Sequence, residues 1–520
     1  MRKEIELNIF PKYINDIKHI KLLSAKKLRI SVEEISTLQI IKKAIDSRKS
    51  PVFHLRILCW INENPTEHAF EMRFPKLKAN KSVIIVGSGP AGLFAALQLL
   101  EFGIKPIILE RGKDVRARRF DLKEIQQNSL VNPDSNYCFG EGGAGTYSDG
   151  KLYTRSNKRG NVHRILDILI YHGAPEEIAI DSHPHIGSNI LPKVVKNIRN
   201  TILEHGGEIH FNSKVTDFII DSSNIRGVVV NDSIEYLGNS VILATGHSAR
   251  DIYYLLYEKN AAMEAKSFAM GVRIEHPQLL IDQIQYHAKI RHKNLPASYY
   301  NLACQVQNKS VYSFCMCPGG LIIPASTSTN ELVLNGMSLS NRNSKFANSG
   351  LVVEINENDW VKHKSNGIFA GLDYQKEIEH LAFLAGGKSQ TAPAQRITDF
   401  VKGKISTSLP DTSYIPGTVS SPLHEIIPNN ISDRLRKALL QFGKRMKGYY
   451  TEQAQILAAE TRTSSPLRIL RDRETLMSVN IKGLFPAGEG AGYAGGIVSA
   501  AIDGERCAAA ANRFLSLSSK

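Results

Sequence analysis

The stretch Val83-Ile-Ile-Val86-Gly87-Ser88-Gly89-Pro90-Ala91-Gly92 decides how this chain is read. Val83 to Val86 is short, wholly apolar and β-branched, as a strand buried on both faces of a parallel sheet must be. The chain then turns through glycines into the apolar, helix-spaced segment Leu93 to Leu100, which closes at Gly103. A second apolar run, Pro106 to Leu109, stops at Glu110. Strand, glycine turn, helix, strand and acid thus follow in register within about thirty residues, the context that a lone G-x-G-x-x-G lacks. In that context Gly87 allows the tight turn, Gly89 lets the backbone approach a pyrophosphate, and Gly92 lets the helix pack on the sheet, with Pro90 and Ala91 between them. The helix N-terminus offers unpaired N–H groups to phosphates. Glu110, followed by Arg111, is placed to accept hydrogen bonds from a ribose diol, and an acid there disfavours a 2′-phosphate.

This motif alone does not separate NAD from FAD, but the far end of the chain does. Ile481-Lys-Gly-Leu-Phe-Pro-Ala-Gly-Glu-Gly490 reads as a strand entering a second glycine turn, and Ala491 to Gly504 as a further turn opening a small-residue helix. A nicotinamide dehydrogenase does not need a second phosphate-approach turn hundreds of residues away. A long flavin cofactor does. At Gly495, Gly496 and Ile497 the backbone N–H groups before the helix can face the flavin edge that becomes negative on reduction.

Together, Val83 to Leu100, Leu109-Glu-Arg-Gly112, Val241-Ile-Leu-Ala-Thr-Gly246 and Gly483-Leu-Phe-Pro-Ala-Gly-Glu-Gly490 resemble the two-dinucleotide-binding-domain flavoprotein superfamily. More narrowly, Phe139 to Leu152, His183-Pro-His-Ile-Gly187, Met316-Cys-Pro-Gly-Gly320, Glu460-Thr-Arg-Thr-Ser-Ser-Pro466 and Gly488 to Ile497 resemble the uncharacterised family of FAD-dependent, NAD(FAD)-utilising dehydrogenases. The resemblance implies a glutathione-reductase-type, Rossmann-like α/β FAD-binding domain with non-covalently bound FAD. It implies that Gly87, Gly89 and Gly92 meet the ADP pyrophosphate, Glu110 the adenosine ribose, and Val215 the adenine through its backbone. It places Thr245 and Gly246 beside the cofactor. Gly488 and Glu489 match a pair that is usually Gly-Asp, so Glu replaces Asp at the ribityl position.

Gly140 to Gly150 holds five glycines in eleven positions. A backbone lying flat on a cofactor, through Gly142, Gly143, Ala144 and Ser148, is one reading; a mobile lid is the other. Lys151 either neutralises phosphate or reduced flavin, or faces solvent. Leu191 to His205 reads as a helix, followed by strands at Glu208 to Phe211, Lys214 to Asp221 and Ile225 to Val230. No second G-x-G-x-x-G interrupts the middle of the chain, which argues against a dedicated pyridine-nucleotide domain. Instead residues 251–446 read as an α+β substrate or cap domain, with strands at Phe268 to Ile274, Ser310 to Met316 and Glu331 to Leu334 and a helix near Tyr374 to Ala385.

The candidates for chemistry are few, and only the cysteine pair lies in that block. In an extended strand Cys315 and Cys317 share a face, so Cys317 has either a redox or covalent role or a structural one at the turn. His183 and His185, held extended by Pro184, are too few for a closed metal site, and no metal is expected; general acid–base work or a polar loop are the alternatives. Arg462, Arg468, Arg471 and Arg473 either clamp an anionic substrate or pair with intervening acids.

The formal charge of +15 suggests an anionic partner, yet residues 1–80 alone hold 16 Lys+Arg against 9 Asp+Glu, about half of the excess. Residues 1–78 read as a small basic α/β domain, with a strand at Glu4 to Phe10, helical spacing over Ile30 to Ile45, a strand at Val52 to Ile61 and a linker Pro75-Lys-Leu-Lys-Ala-Asn80. Its basic residues either bind RNA or another polyanion or form a solvated face. There is no apolar export segment, no run of ~18 apolar residues, and six scattered cysteines are too sparse for a disulfide framework. A cytoplasmic location with no membrane insertion is expected. The expected organisation is a discontinuous FAD domain, residues 79–250 and 447–520, interrupted by the cap. The expected function is an FAD-dependent oxidoreductase acting on a small molecule. An RNA-associated or RNA-modifying flavoprotein and a non-catalytic flavin-binding protein are the rivals.

Overall fold

The computed structural model describes residues 1–65, 70–78, 81–154 and 160–517. The β-branched run forms the strand Ser82–Val86 at the centre of a five-stranded parallel sheet. Val241–Leu243 and then Leu484–Pro486 lie on one side of it, and Lys105–Leu109 and then Glu208–His210 on the other. Strands from three distant parts of the chain therefore build one sheet, and their carboxyl ends open on a shared edge, where ligands of open parallel sheets sit. Pro90–Glu101 and Ile497–Leu517 are the helices that follow the two glycine turns. They pack through small residues: a Cβ on Gly504 would lie 2.0 Å from Ala91 O, and one on Gly92 would lie 2.0 Å from Gly87 O. Val215–Asp221, Asn224–Val230 and Ile234–Leu237 form an antiparallel meander before the chain returns to the parallel sheet.

The middle of the chain builds a mixed seven-stranded sheet around Phe346–Ile355, Phe268–Pro277 and Gln455–Glu460. Ala370–Ala385 and Asn429–Arg445 cover it through the largest apolar core of the molecule. Gln455–Glu460 pairs with Phe268–Pro277 and Ala392–Arg396, so this sheet runs past the expected boundary at 446. The strand expected at Glu331 to Leu334 begins only at Leu334. Glu331 precedes it because its carboxylate accepts hydrogen bonds from Thr327 N, Thr327 Oγ1 and Ser328 N.

At the N-terminus the strands Arg2–Ile9, Val52–Ile61 and Ile35–Asp46 form a three-stranded antiparallel sheet with Val52–Ile61 in the centre. The helix is Ile17–Leu28, capped by Asp16, whose side chain accepts from His19 N. The helical spacing over Ile30 to Ile45 was misleading: Ile35–Asp46 is a strand. Bulges between Ile35 and Thr37 and between Ile40 and Lys42 break its two-residue alternation, and an interrupted period of two mimics helical spacing. Several of the basic residues have acidic partners: Arg48 with Asp46, Arg56 with Glu4 and, from outside this unit, Lys43 with Asp181. Residues 79 and 80 of the linker lie outside the described residues. Among the described residues no helix is long and apolar enough to cross a membrane.

Candidate functional site

A cavity of about 410 Å³ lies along the carboxyl edge of the parallel sheet. Gly87, Gly89, Pro90 and Ala91 line it from the first turn, and Glu110, Arg111 and Val215 from one flank. Gly143, Ala144 and Ser148 line it from the glycine run, and Thr245, Gly246, Glu489, Gly495, Gly496 and Ile497 from the far side. Phe314, Cys315, Arg462 and Thr463 face it from the middle of the chain. Gly92, Gly142 and Gly488 stand behind the wall: Gly92 seats the helix, Gly142 N donates to Ser88 O at 2.9 Å, and Gly488 N donates to Asp503 Oδ2 at 2.8 Å.

The cavity fits a long, flat dinucleotide cofactor. A Cβ on Gly246, Gly495 or Gly496 would meet nothing within 4 Å, and one on Gly89 only Gly143 Cα at 4.0 Å. Bare backbone thus faces open space at both glycine turns, room that packing of the protein itself does not use.

Several side chains act differently from expectation. Glu110 is buried, and its carboxylate already accepts from Ser88 N and Ser88 Oγ on one oxygen and from Gly112 N and Gly140 N on the other. It braces the two glycine segments, and a ribose diol would compete with those donors. Gly495 N donates to Ser499 Oγ at 3.0 Å, which turns that N–H toward its own helix. Arg111 pairs with Asp251 at 2.6 Å and stacks over Phe139.

The glycine run is pinned by a residue that the sequence did not single out. Arg118 is fully buried and donates to the carbonyls of Asn136, Tyr137, Glu141 and Gly143 at 2.7–3.0 Å. A lid would not be clamped in this way. Lys151, at the end of the run, lines the cavity with its ammonium paired with Asp149 at 3.0 Å, and Asp149 pairs with Arg342 at 2.6 Å.

Arg462 meets Glu331 at 2.6 Å and Glu379 at 3.0 Å, and Arg250 shares the same two acids. Arg468 pairs with Glu264 and Arg471 with Asp503. These arginines pair with acids, but with acids brought in from elsewhere rather than those between them. His183 packs at a tilt between Tyr153 and Tyr299, and His185 Nε2 lies 3.0 Å from Ser340 O. Neither lines the cavity, and burial, reinforced by the Arg342 charge, pulls both below the usual histidine range. Cys317 is fully buried behind Cys315. Among the described residues no group of three or more His, Cys, Asp and Glu forms a metal centre.

Two further ionisable groups line the cavity. Burial holds His247 down at about 3, with the Arg462 and Arg250 charges adding, so it is neutral. Burial pushes Glu489 up to about 7, helped by the nearby Cys315. Their closest atoms, His247 Nε2 and Glu489 Oε1, are 4.0 Å apart.

Family models match three parts of the chain. The model for the C-terminal domain of FAD-dependent proteins matches residues 267–463, an FAD binding domain matches residues 80–119, and a domain of unknown function matches residues 1–59. An uncharacterized protein of Clostridium beijerinckii is 41% identical over 518 residues, covering 95% of this chain and 96% of its own. Thiamine thiazole synthase of Aeropyrum pernix is 27% identical over 206 residues, 36% of this chain and 64% of its own. Among solved structures, halogenase PltM is 11% identical with a TM-score of 0.37, covering 84% of this chain and 70% of its own.

Proposed function

Because the chain belongs to one family of FAD-dependent proteins with its Clostridium beijerinckii relative, and FAD is its cofactor, we propose that it is an oxidoreductase acting on a small molecule bound between the FAD-binding sheet and the seven-stranded sheet. The observation that carries this reading is the single cavity that touches both glycine turns and also Phe314, Cys315 and Arg462 of the cap. Bound FAD supplies exchange of an electron pair with a substrate. The residues of the chain do the rest. Gly87, Gly89 and the start of Pro90–Glu101 would hold the pyrophosphate with backbone N–H groups, and Thr245, Gly246, Gly495 and Gly496 would hold the ring system by close backbone approach. The pinned run from Gly143 to Ser148 closes one wall against water. Glu489, titrating near neutrality, is the group in the cavity suited to hold or release a proton at its carboxylate. His247, kept neutral, adds no charge beside it.

The test is anaerobic reduction of the FAD-loaded protein with a metabolite panel that includes NADH and NADPH, followed by flavin absorbance. Bleaching by at least one donor at rates far above free FAD is expected. Full FAD occupancy with no donor accelerated would assign a non-catalytic flavin-binding role instead, and a colourless protein that FAD cannot reconstitute would end the reading altogether.

A further inference from the structure

Two thiols and an ammonium meet on the cap side of the cavity. Cys315 lines the cavity next to Phe314, with Cys317 buried behind it. The strand Lys309–Cys317 carries a bulge between Phe314 and Cys317, and Cys315 sits in it with φ of 45°. A non-glycine residue adopts this left-handed conformation only where the surrounding structure holds it there. Cα atoms two residues apart are separated by at most about 7 Å even in a fully extended chain, close to the roughly 4.4–6.8 Å that a disulfide spans, and both sulfurs lie within 3.7 Å of one ammonium. Cys317 Sγ donates to the backbone carbonyl of Cys315 at 3.3 Å, which ties the two residues together across the bulge.

The surrounding charges are arranged on the same two sulfurs. Lys151 Nζ lies 3.7 Å from Cys315 Sγ and 3.5 Å from Cys317 Sγ, and Arg273 Nη2 lies 3.6 Å from Cys317 Sγ. Lys151 is held in place by Asp149, which is itself fixed by Arg342 and by the hydroxyl of Ser338. Interaction with the neighbouring Cys317 thiol, joined by the Lys151 and Arg273 charges, brings Cys315 well below the ordinary thiol range. The same interaction, with burial, pushes Cys317 up. A thiolate on the cavity side with a thiol behind it is the protonation state from which a disulfide forms and exchanges.

We propose that Cys315 and Cys317 are a redox pair that exchanges an electron pair with the bound FAD, with external thiols or disulfides reaching it through Cys315. This rests on the oxidoreductase reading and specifies its partner group. In the oxidising direction the Cys317 S–H bond breaks and one S–S bond forms. The electron pair passes to oxidised FAD, and the Cys317 proton and one proton from solvent follow it. The reverse transfer breaks the S–S bond and restores the thiolate and the thiol.

The experiment is an anaerobic dithionite titration of the FAD-loaded, air-oxidised full chain, with bound flavin absorbance and free thiols measured together. Wild type is expected to take up twice the reducing equivalents per FAD that Cys315→Ser or Cys317→Ser takes up, and to show a Cys315–Cys317 disulfide in its peptide mass spectrum before reduction. Full FAD occupancy with equal uptake in all three proteins and no disulfide overturns the redox pair while leaving the oxidoreductase reading intact. Failure of wild type to bind FAD overturns both. A second readout needs no FAD: in the apoprotein Lys151→Met should slow alkylation of Cys315 near neutrality by about tenfold, and an unchanged rate overturns the assignment of Cys315 as the ammonium-stabilised thiolate.

Discussion

Arg118→Met asks whether the glycine run is a fixed wall of the FAD cavity. The substitution keeps much of the buried aliphatic stem but removes the guanidinium donors to the carbonyls of Asn136, Tyr137, Glu141 and Gly143. Thr146 still donates to Glu141 O and Gly143 O, so two carbonyls are left unmet, each at a cost of about 1–3 kcal/mol, and a destabilisation of about 3–4 kcal/mol is expected. Gly143 to Gly145 would then no longer be held against the first glycine turn, and FAD affinity should fall by tenfold to a hundredfold, about 1.4–2.8 kcal/mol. Denaturation of the apoprotein reads the first quantity, and a titration following flavin fluorescence reads the second. Arg118→Lys, which keeps the charge but cannot span four carbonyls, should fall between the two. If Arg118→Met unfolds at the wild-type midpoint and binds FAD within twofold of wild type, the run is not held by Arg118 and the wall is built some other way.

Other expectations follow from single contacts. Gly92→Ala would drive a methyl to within 2.0 Å of Gly87 O and should lower stability by several kcal/mol or abolish soluble expression. Gly495→Leu, at a position with open space, should leave the unfolding midpoint within about 1 kcal/mol of wild type while sharply weakening FAD binding. Glu489 has a folded pKa of about 7, above its ordinary value of 4.5. The folded apoprotein therefore binds more protons than the unfolded chain between those values, and stability contributed by this group is lost as pH rises through that window. Glu489→Gln should flatten the decline by at most about 3 kcal/mol in denaturation curves taken from pH 4.5 to 7.5, and an unchanged slope would show that Glu489 titrates normally. Arg462→Met leaves Glu379 and Glu331 with Arg250 alone and should cost about 3–5 kcal/mol in the same denaturation measurement; a cost near zero would mean the acids are neutralised without it.

How much of this was legible in the sequence follows from the range of the forces involved. The strand, glycine turn and helix from Ser82 to Glu101 are local, because β-branched burial and glycine conformation act over a few residues. The same holds for the second turn before Ile497–Leu517, so FAD binding was readable at both ends of the chain. The segment Ile30 to Ile45 was misread as a helix because two bulges, which exist only in pairing with Val52–Ile61, distort its alternation. Glu110 was readable as the acid at the strand tip, but not that four donors from Ser88, Gly112 and Gly140 already engage it.

By itself the sequence determined the cofactor class, the strand, glycine turn and helix that begin its site, and the absence of a second G-x-G-x-x-G motif. Only the tertiary structure decided which charges meet. Arg118 is one of three arginines in the helix Val115–Asn128 and reaches carbonyls 18 or more residues away, Lys151 has its sulfur partners more than 160 residues away, and Arg462 finds Glu331 and Glu379 rather than its neighbours in sequence. Electrostatic and hydrogen-bond partners depend on distance in space, which no spacing along the chain encodes once the parts are separated by a whole sheet. The glycines that cradle FAD therefore belong to the sequence, whereas the Cys315, Cys317 and Lys151 cluster beside them belongs to the fold.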